Sequence, residues 1–263
     1  MSKPKVLATT IVSALISLFF VFCLGWAMMV HYGKGTSDME VIEDTPDKSD
    51  LPADFTVLAI GDSLTRGTGD ETGKGYVGLV VEELKTQYKR KPIIHNLGIN
   101  GQVSKELVQQ VKQPEVKRQI QAADVILVTI GGNDLFQKGQ TLLEYDREAT
   151  SVSQKNFLGN LHEIFKDINK VNDSATILLL GLYNPFIDLD KDFDTNRIVR
   201  EWNNETAEVV AHYENAIFVP TFDLFQLSVN EYLYSDNFHP NKKGYRLIAD
   251  RVAPLIKWED VER

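Results

Sequence analysis

Residues Val57–Gly67 read VLAIGDSLTRG. An apolar, β-branched run from Phe55 to Ile60 stops at Gly61, and Ser63 follows two residues later. A short apolar run closed by a turn signal marks a strand buried on both faces of a parallel sheet. In an open α/β sheet, ligands bind in the crevice beyond the carboxyl ends of the strands. Ser63 therefore stands where chemistry is usually done. A serine in such a turn is also a common helix cap, and this stretch alone leaves both readings open.

Three later segments repeat the pattern of a strand running into a small polar cluster. Pro92–Leu97 runs into GINGQVS, Val125–Ile130 runs into GGNDL, and SDNFHPNKKGY (Ser235–Tyr245) lies near the C-terminus. Acyl transfer from serine needs a base for the hydroxyl proton, a carboxylate to orient that base, and donors aimed at the oxyanion. His239 can be the base and Asp236 its orienter. The Gly101 N–H and the Asn133 side-chain amide can be the donors, although Gly101 also suits a turn with positive φ and Asn133 also suits a turn cap. Asp62 reads as a structural hydrogen-bonding residue. Of the other histidines, His162 and His212 fall within expected helices, His95 inside the second strand as a core histidine, and His31 after a long apolar run.

GDSL, the glycine of GINGQ, GGND and DNFHP, in that order, resemble the four blocks of the SGNH (GDSL) hydrolase superfamily. The motifs are most similar to those of its bacterial lysophospholipase/thioesterase-like lipases and esterases. The resemblance spans Phe55 to Lys257. It implies a three-layer α/β/α, flavodoxin-like fold with a five-stranded parallel sheet in the order 2-1-3-4-5, which gathers Ser63, Gly101 and Asn133. It further implies a Ser63–His239–Asp236 triad, an oxyanion hole of Ser63, Gly101 and Asn133, and no cofactor. The close pairing of Asp236 with His239 differs from the α/β-hydrolase pattern, where a G-x-S-x-G elbow holds the serine.

From Phe55 the chain alternates strands, expected at 55–60, 92–97, 125–130, 176–182 and 216–220, with helices. Helices are expected at 75–88, 103–122 with a break near Pro114, 156–170, 196–213 and 241–257. The spacing of Phe157, Leu161, Ile164, Phe165 and Ile168 shows the apolar stripe of a core-facing helix. Such alternation implies a parallel sheet covered on both faces. GTGDETGKG (Gly67–Gly75) fails the phosphate-loop pattern G-x-x-x-x-G-K-[ST] at Thr68 and Gly75, and reads instead as a loop rimming the pocket. No metal-binding spacing is present.

Of 263 residues, 43% are hydrophobic and 25% charged, and the net charge is −9. An acidic chain without a basic stripe is no nucleic-acid binder, and it gains nothing from anionic lipid headgroups. Cys23 is the only cysteine, so intramolecular disulfides are impossible. Lys3 and Lys5 precede Val6–Val30, an uncharged run of 25 residues. A membrane span needs about 20 residues, whereas a signal-peptide core has about 7–15. The reading is a cytoplasmic tail (1–5), a transmembrane signal anchor (6–30), an acidic linker (31–54) and the catalytic domain (55–260) outside the membrane. A cleaved signal peptide is the alternative.

The expected function is a serine ester hydrolase of the lipase/esterase kind, acting on a small-molecule or lipid ester. The alternatives are an O-acetyl esterase on cell-surface carbohydrate and a non-catalytic binding module on the same fold.

Overall fold

The structure is a computed structural model that describes residues 55–89, 91–136, 146–187 and 195–258, together with Ser17 and Phe19. All but those two belong to one compact unit, Pro52–Arg263. Its sheet has strands β1 (Thr56–Gly61), β2 (Ile93–Asn96), β3 (Val125–Thr129), β4 (Thr176–Leu180) and β5 (Ala216–Val219). Their order is β2-β1-β3-β4-β5, every neighbour parallel, as expected for this α/β arrangement.

The helices are α1 (Ser63–Arg66), α2 (Gly75–Tyr88), α3 (Ser104–Val111), α4 (Pro114–Ala122), α5 (Gly132–Phe136), α6 (Arg147–Asn169), α7 (Thr195–Val210), α8 (Phe222–Phe225), α9 (Val229–Tyr232) and α10 (Lys242–Val252). Successive strand residues point to opposite faces, and the core divides accordingly. Leu58, Ile60, Ile126 and Val128 pack with Leu107 of α3, Phe157 and Leu161 of α6 and Trp202 of α7. Val57, Ala59, Val125 and Leu127 pack with Val77 and Val80 of α2 and with Tyr245 and Ile248 of α10. Each fully buried aliphatic side chain contributes about 1.5–3 kcal/mol, so the two layers clamp the strands whose ends carry the polar clusters.

The expected break near Pro114 is present: Pro114 opens a separate helix, because a proline at the first helical position sacrifices no hydrogen bond. Two details differ from the sequence reading. Helix α6 starts at Arg147, ahead of the expected 156, because Asp146 caps it through the N–H groups of Glu148 and Ala149. Its early turns face solvent, with Val152 56% exposed, and so show no apolar stripe. His95 is half-buried on edge strand β2 rather than in the core. Among the described residues no helix is long and apolar enough to cross a membrane. The expected span and linker lie outside the described residues, save the helical Ser17 and Phe19.

Candidate active site

Ser63 is positioned by a close approach of two strand ends. Gly61, the last residue of β1, has φ +124°, and a Cβ there would lie 1.9 Å from the Thr129 carbonyl oxygen. The next residue, Asp62, donates its N–H to that oxygen at 3.0 Å. Its carboxylate accepts from the Leu64 N–H at 3.0 Å and from the Thr129 hydroxyl at 2.7 Å. Asp62 is therefore the cap of α1, and Ser63 is the first helical residue, its side chain free of that duty. Burial pushes the Asp62 carboxyl above its ordinary range, against the pull of those two hydrogen bonds.

His239 arrives from the loop between α9 and α10. Leu233 and Pro240 form an antiparallel bridge across the loop's base, and Asn241 caps α10 through the N–H groups of Lys243 and Gly244. At the tip, Asn237 takes φ +54°, a conformation asparagine tolerates better than most residues. Asp236 folds back across this turn. One carboxylate oxygen accepts the N–H groups of Phe238 and His239, each at 3.0 Å. The other lies 2.6 Å from His239 Nδ1, and His239 Nε2 lies 2.8 Å from Ser63 Oγ. A carboxylate can only accept, so Nδ1 carries the proton, and Nε2 presents its lone pair to the Ser63 hydroxyl. Burial pushes the Asp236 carboxyl up, but the hydrogen bonds from the imidazole and the two N–H groups outweigh it. The net position is below the usual carboxylate range.

The two remaining expected residues flank Ser63 on the neighbouring strand ends. Gly101, in the loop after β2, is exposed with φ +75°, and a Cβ there would meet nothing within 4 Å. Asn133 sits in α5, directly after β3, and its side-chain amide donates to the Gln102 carbonyl at 2.9 Å. One amide hydrogen is thus fixed, and the amide's second hydrogen is not used by that bond.

A narrow cleft opens beside Ser63 at the ends of β3 and β4. Asp62, Ser63, Thr129 and Asn133 give it polar groups, and Ile130, Phe136, Leu180, Leu182, Tyr183 and Phe238 supply most of its apolar wall. Phe136 and Phe238 meet edge to face at 5.9 Å. The Tyr183 hydroxyl donates to the Phe238 carbonyl at 2.5 Å, fastening the histidine loop to the cleft wall. The Gly67–Tyr76 loop is not among these lining residues. It supports the histidine loop from behind, where a Cβ on Gly69 would meet the Pro240 carbonyl oxygen at 2.5 Å and the His239 Cβ at 3.0 Å. His162 and His212 lie on the surface, their rings 5.7 Å apart and bonded to the Tyr213 hydroxyl and the Glu208 carbonyl.

Sequence reading gave no role to the residues that hold the turns. Asp134 accepts from Ser104, and Ser104 in turn accepts from Asn160 of α6. Asp134 is the last residue of the GGND block and Ser104 the last of the GINGQVS segment, but the sequence reading assigns neither a role. A hydroxyl bonded to an imidazole, itself bonded to a carboxylate, is an arrangement that can activate serine as a nucleophile.

The model of the GDSL-like Lipase/Acylhydrolase family matches residues 59–247. The chain is 34% identical over 214 residues to the Bacillus subtilis (strain 168) protein YpmR, covering 80% of this chain and 84% of that one. It is 26% identical over 203 residues to the spore germination lipase LipC of Bacillus licheniformis, with 74% of this chain and 92% of LipC covered. Among solved structures, the lipase Lip_vut3 from a goat rumen metagenome superposes with a TM-score of 0.66 at 22% identity. That match covers 76% of this chain and 96% of the lipase.

Proposed function

The chain belongs to the GDSL-like lipase/acylhydrolase family and is an ester hydrolase, and from that premise we propose that Ser63, His239 and Asp236 are its catalytic triad. The observation that carries this reading is the continuous hydrogen-bonded chain from the Ser63 hydroxyl through both imidazole nitrogens to Asp236, at 2.8 and 2.6 Å. Ser63 Oγ attacks the ester carbonyl while His239 Nε2 takes its proton. The resulting imidazolium is held by Asp236. The carbonyl oxygen, now negative, accepts from the second amide hydrogen of Asn133 and from the Gly101 and Ser63 N–H groups. Collapse of this intermediate expels the alcohol, which leaves with the proton from Nε2, and an acyl-Ser63 ester remains. Water activated by the same imidazole attacks that ester and returns free Ser63.

The apolar walls of the cleft favour an apolar acyl group over a sugar hydroxyl as the part held there, since burying unpaired hydroxyls against phenylalanine and leucine is costly. The lipase among the relatives supports the same class. Residues 6–30 serve as an uncleaved membrane anchor and residues 31–54 as a linker to an extracytoplasmic domain beginning at 55, so that acyl lipids are within reach. This placement rests on the uncharged run behind Lys3 and Lys5.

A fluorophosphonate probe tests the triad. It should label the wild type and leave Ser63→Ala unlabelled, and labelling elsewhere in the Ser63→Ala protein would refute the assignment. Rates on p-nitrophenyl esters of graded length, lysophospholipid and an acetylated glycan test the substrate class, and a preference for the glycan would refute an apolar acyl group. Carbonate extraction of membranes and the N-terminus of the mature protein test the anchor. Soluble protein lacking the first thirty residues would refute it.

A further inference from the structure

At its capping position, Val103, helix α3 has no side-chain acceptor; the Glu106 carboxylate reaches back to the Val103 N–H at 3.1 Å, but the first N–H groups of the helix itself have no partner within it. The acceptor for the first of them comes from a different strand end. Asp134, beside Asn133 in α5, takes the Ser104 N–H at 2.9 Å and the Ser104 hydroxyl at 2.5 Å. Ser104 is fully buried. Its hydroxyl oxygen accepts from the Asn160 amide of α6 at 2.9 Å, and the Ser153 hydroxyl of the same helix donates to the Asp134 carbonyl at 2.8 Å. Three segments therefore meet around the Asp134–Ser104 pair: the turn carrying Gly101, the turn carrying Asn133, and the helix behind both.

A second hydrogen bond joins these turns along the same edge, from the Asn133 amide to the Gln102 carbonyl. Gly101 has no side chain and is exposed, so it contributes nothing to its own placement. The spacing between the Gly101 N–H and the Asn133 amide is thus set by two contacts, Asn133 to Gln102 and Asp134 to Ser104. We propose that Asp134 is a positioning residue of this hydrolase, clamping the Gly101 turn to the Asn133 turn so that two donors from different strands converge on one oxyanion. The inference rests on the assignment of Gly101 and Asn133 as oxyanion donors. It adds a residue that touches neither substrate nor triad and acts through both donors.

A displacement of about 1 Å in a positioning group can cost about 10² in rate. Asp134→Ala should therefore lower kcat about tenfold to hundredfold on a short water-soluble ester, with KM little changed. Ser104→Ala, which keeps the N–H bond to Asp134 and loses only the hydroxyl, should lower kcat several-fold, and Ser104→Thr should restore most of it. A purely structural cap would lower the melting temperature and leave these ratios alone. The distinguishing readout is inhibition by a trifluoromethyl ketone, whose hemiketal oxygen needs the same donors. Its affinity should fall in step with kcat across the variants. In the Asp134→Ala, Asn133→Ala double variant the losses should combine to less than their product, because the first acts through the second.

Folded Asp134→Ala and Ser104→Ala proteins with wild-type kcat and ketone affinity would overturn the proposal, as would fully multiplicative losses in the double variant. If Asp134→Ala does not fold, the Ser104 variants decide alone. A wild type that neither binds the ketone nor reacts with a fluorophosphonate would instead remove the underlying assignment of the site, and the proposal with it. That failure is recognisable because it precedes any substitution.

Discussion

Substituting Gly61 by alanine tests how the fold presents Ser63. The new Cβ would lie 1.9 Å from the Thr129 carbonyl oxygen, 2.8 Å from its carbonyl carbon and 3.0 Å from its nitrogen. All three atoms are backbone, so no side-chain rotation relieves the clash, and β1 and β3 must separate at their carboxyl ends. Three costs combine. The φ of +124° costs an L-residue about 1–2 kcal/mol. Forcing the strands apart is overpacking, at about 1–3 kcal/mol. Loss of the Asp62 N–H bond to the Thr129 oxygen removes about 1 kcal/mol more. The total is about 3–6 kcal/mol, a large part of the roughly 5–15 kcal/mol that holds a typical domain together.

Equilibrium urea unfolding measures this cost, and Gly73→Ala supplies the control. Gly73 also has positive φ, +69°, but a Cβ there would meet nothing within 4 Å. It should lose only the conformational part, about 1–2 kcal/mol. The difference between the two variants isolates the contact with Thr129. Gly61→Ala should also lose activity wherever it stays folded, since Ser63 rides on the displaced turn. Equal destabilisation of the two variants would refute the steric argument.

The catalytic roles separate by kinetics. Ser63→Ala and His239→Ala should be about equally severe in stopped-flow assays, since nucleophile and base act as a unit; a mild His239→Ala would break the triad. Asn133→Ala should lower kcat about 10²–10³-fold with little change in KM. Asp236→Asn should keep the fold by circular dichroism and slow turnover, by up to about 10⁴-fold if it holds the wrong imidazole tautomer. His95→Ala should leave kcat unchanged. The Asp223 carboxyl is held below its ordinary range by its hydrogen bond with Arg251, the pair standing 2.7 Å apart. Its stabilisation is therefore present above the unfolded-state value of about 3.9 and is lost as pH falls through the lower folded-state value. Asp223→Asn should cost less than about 1 kcal/mol at pH 7, the pair being exposed, and the gap to wild type in urea titrations should close toward acid pH.

What the sequence disclosed and what it hid follow the range of the interactions involved. Strand β1 was legible because burial on both faces leaves a continuous apolar run, and the Asp236–His239 pairing because it closes over three residues. The short helices α1, α5, α8 and α9 were illegible: one turn or so is too short to show a 3.6-residue period. The cap of α1 shows the same limit at finer grain. Both Asp62 and Ser63 are good capping residues, and only the Thr129 hydroxyl, brought alongside by strand pairing, selects Asp62 and frees the serine.

The most consequential blind spot is the one that joins loops. Val103 before Ser104 reads as a poorly capped helix start, a local defect. In the folded chain the Ser104 N–H is taken by Asp134 from another strand end, a contact that also ties two donor-bearing turns together. An acceptor at position 103 would take the N–H of Lys105 or Glu106 instead and leave the Ser104 N–H to Asp134. Val103→Asp should therefore improve the helix start by about 1 kcal/mol and leave kcat at the wild-type value, because the clamp on Ser104 is untouched. A fall in kcat in the folded variant would show that the start of this helix acts on the donors by a route other than the Asp134–Ser104 contact.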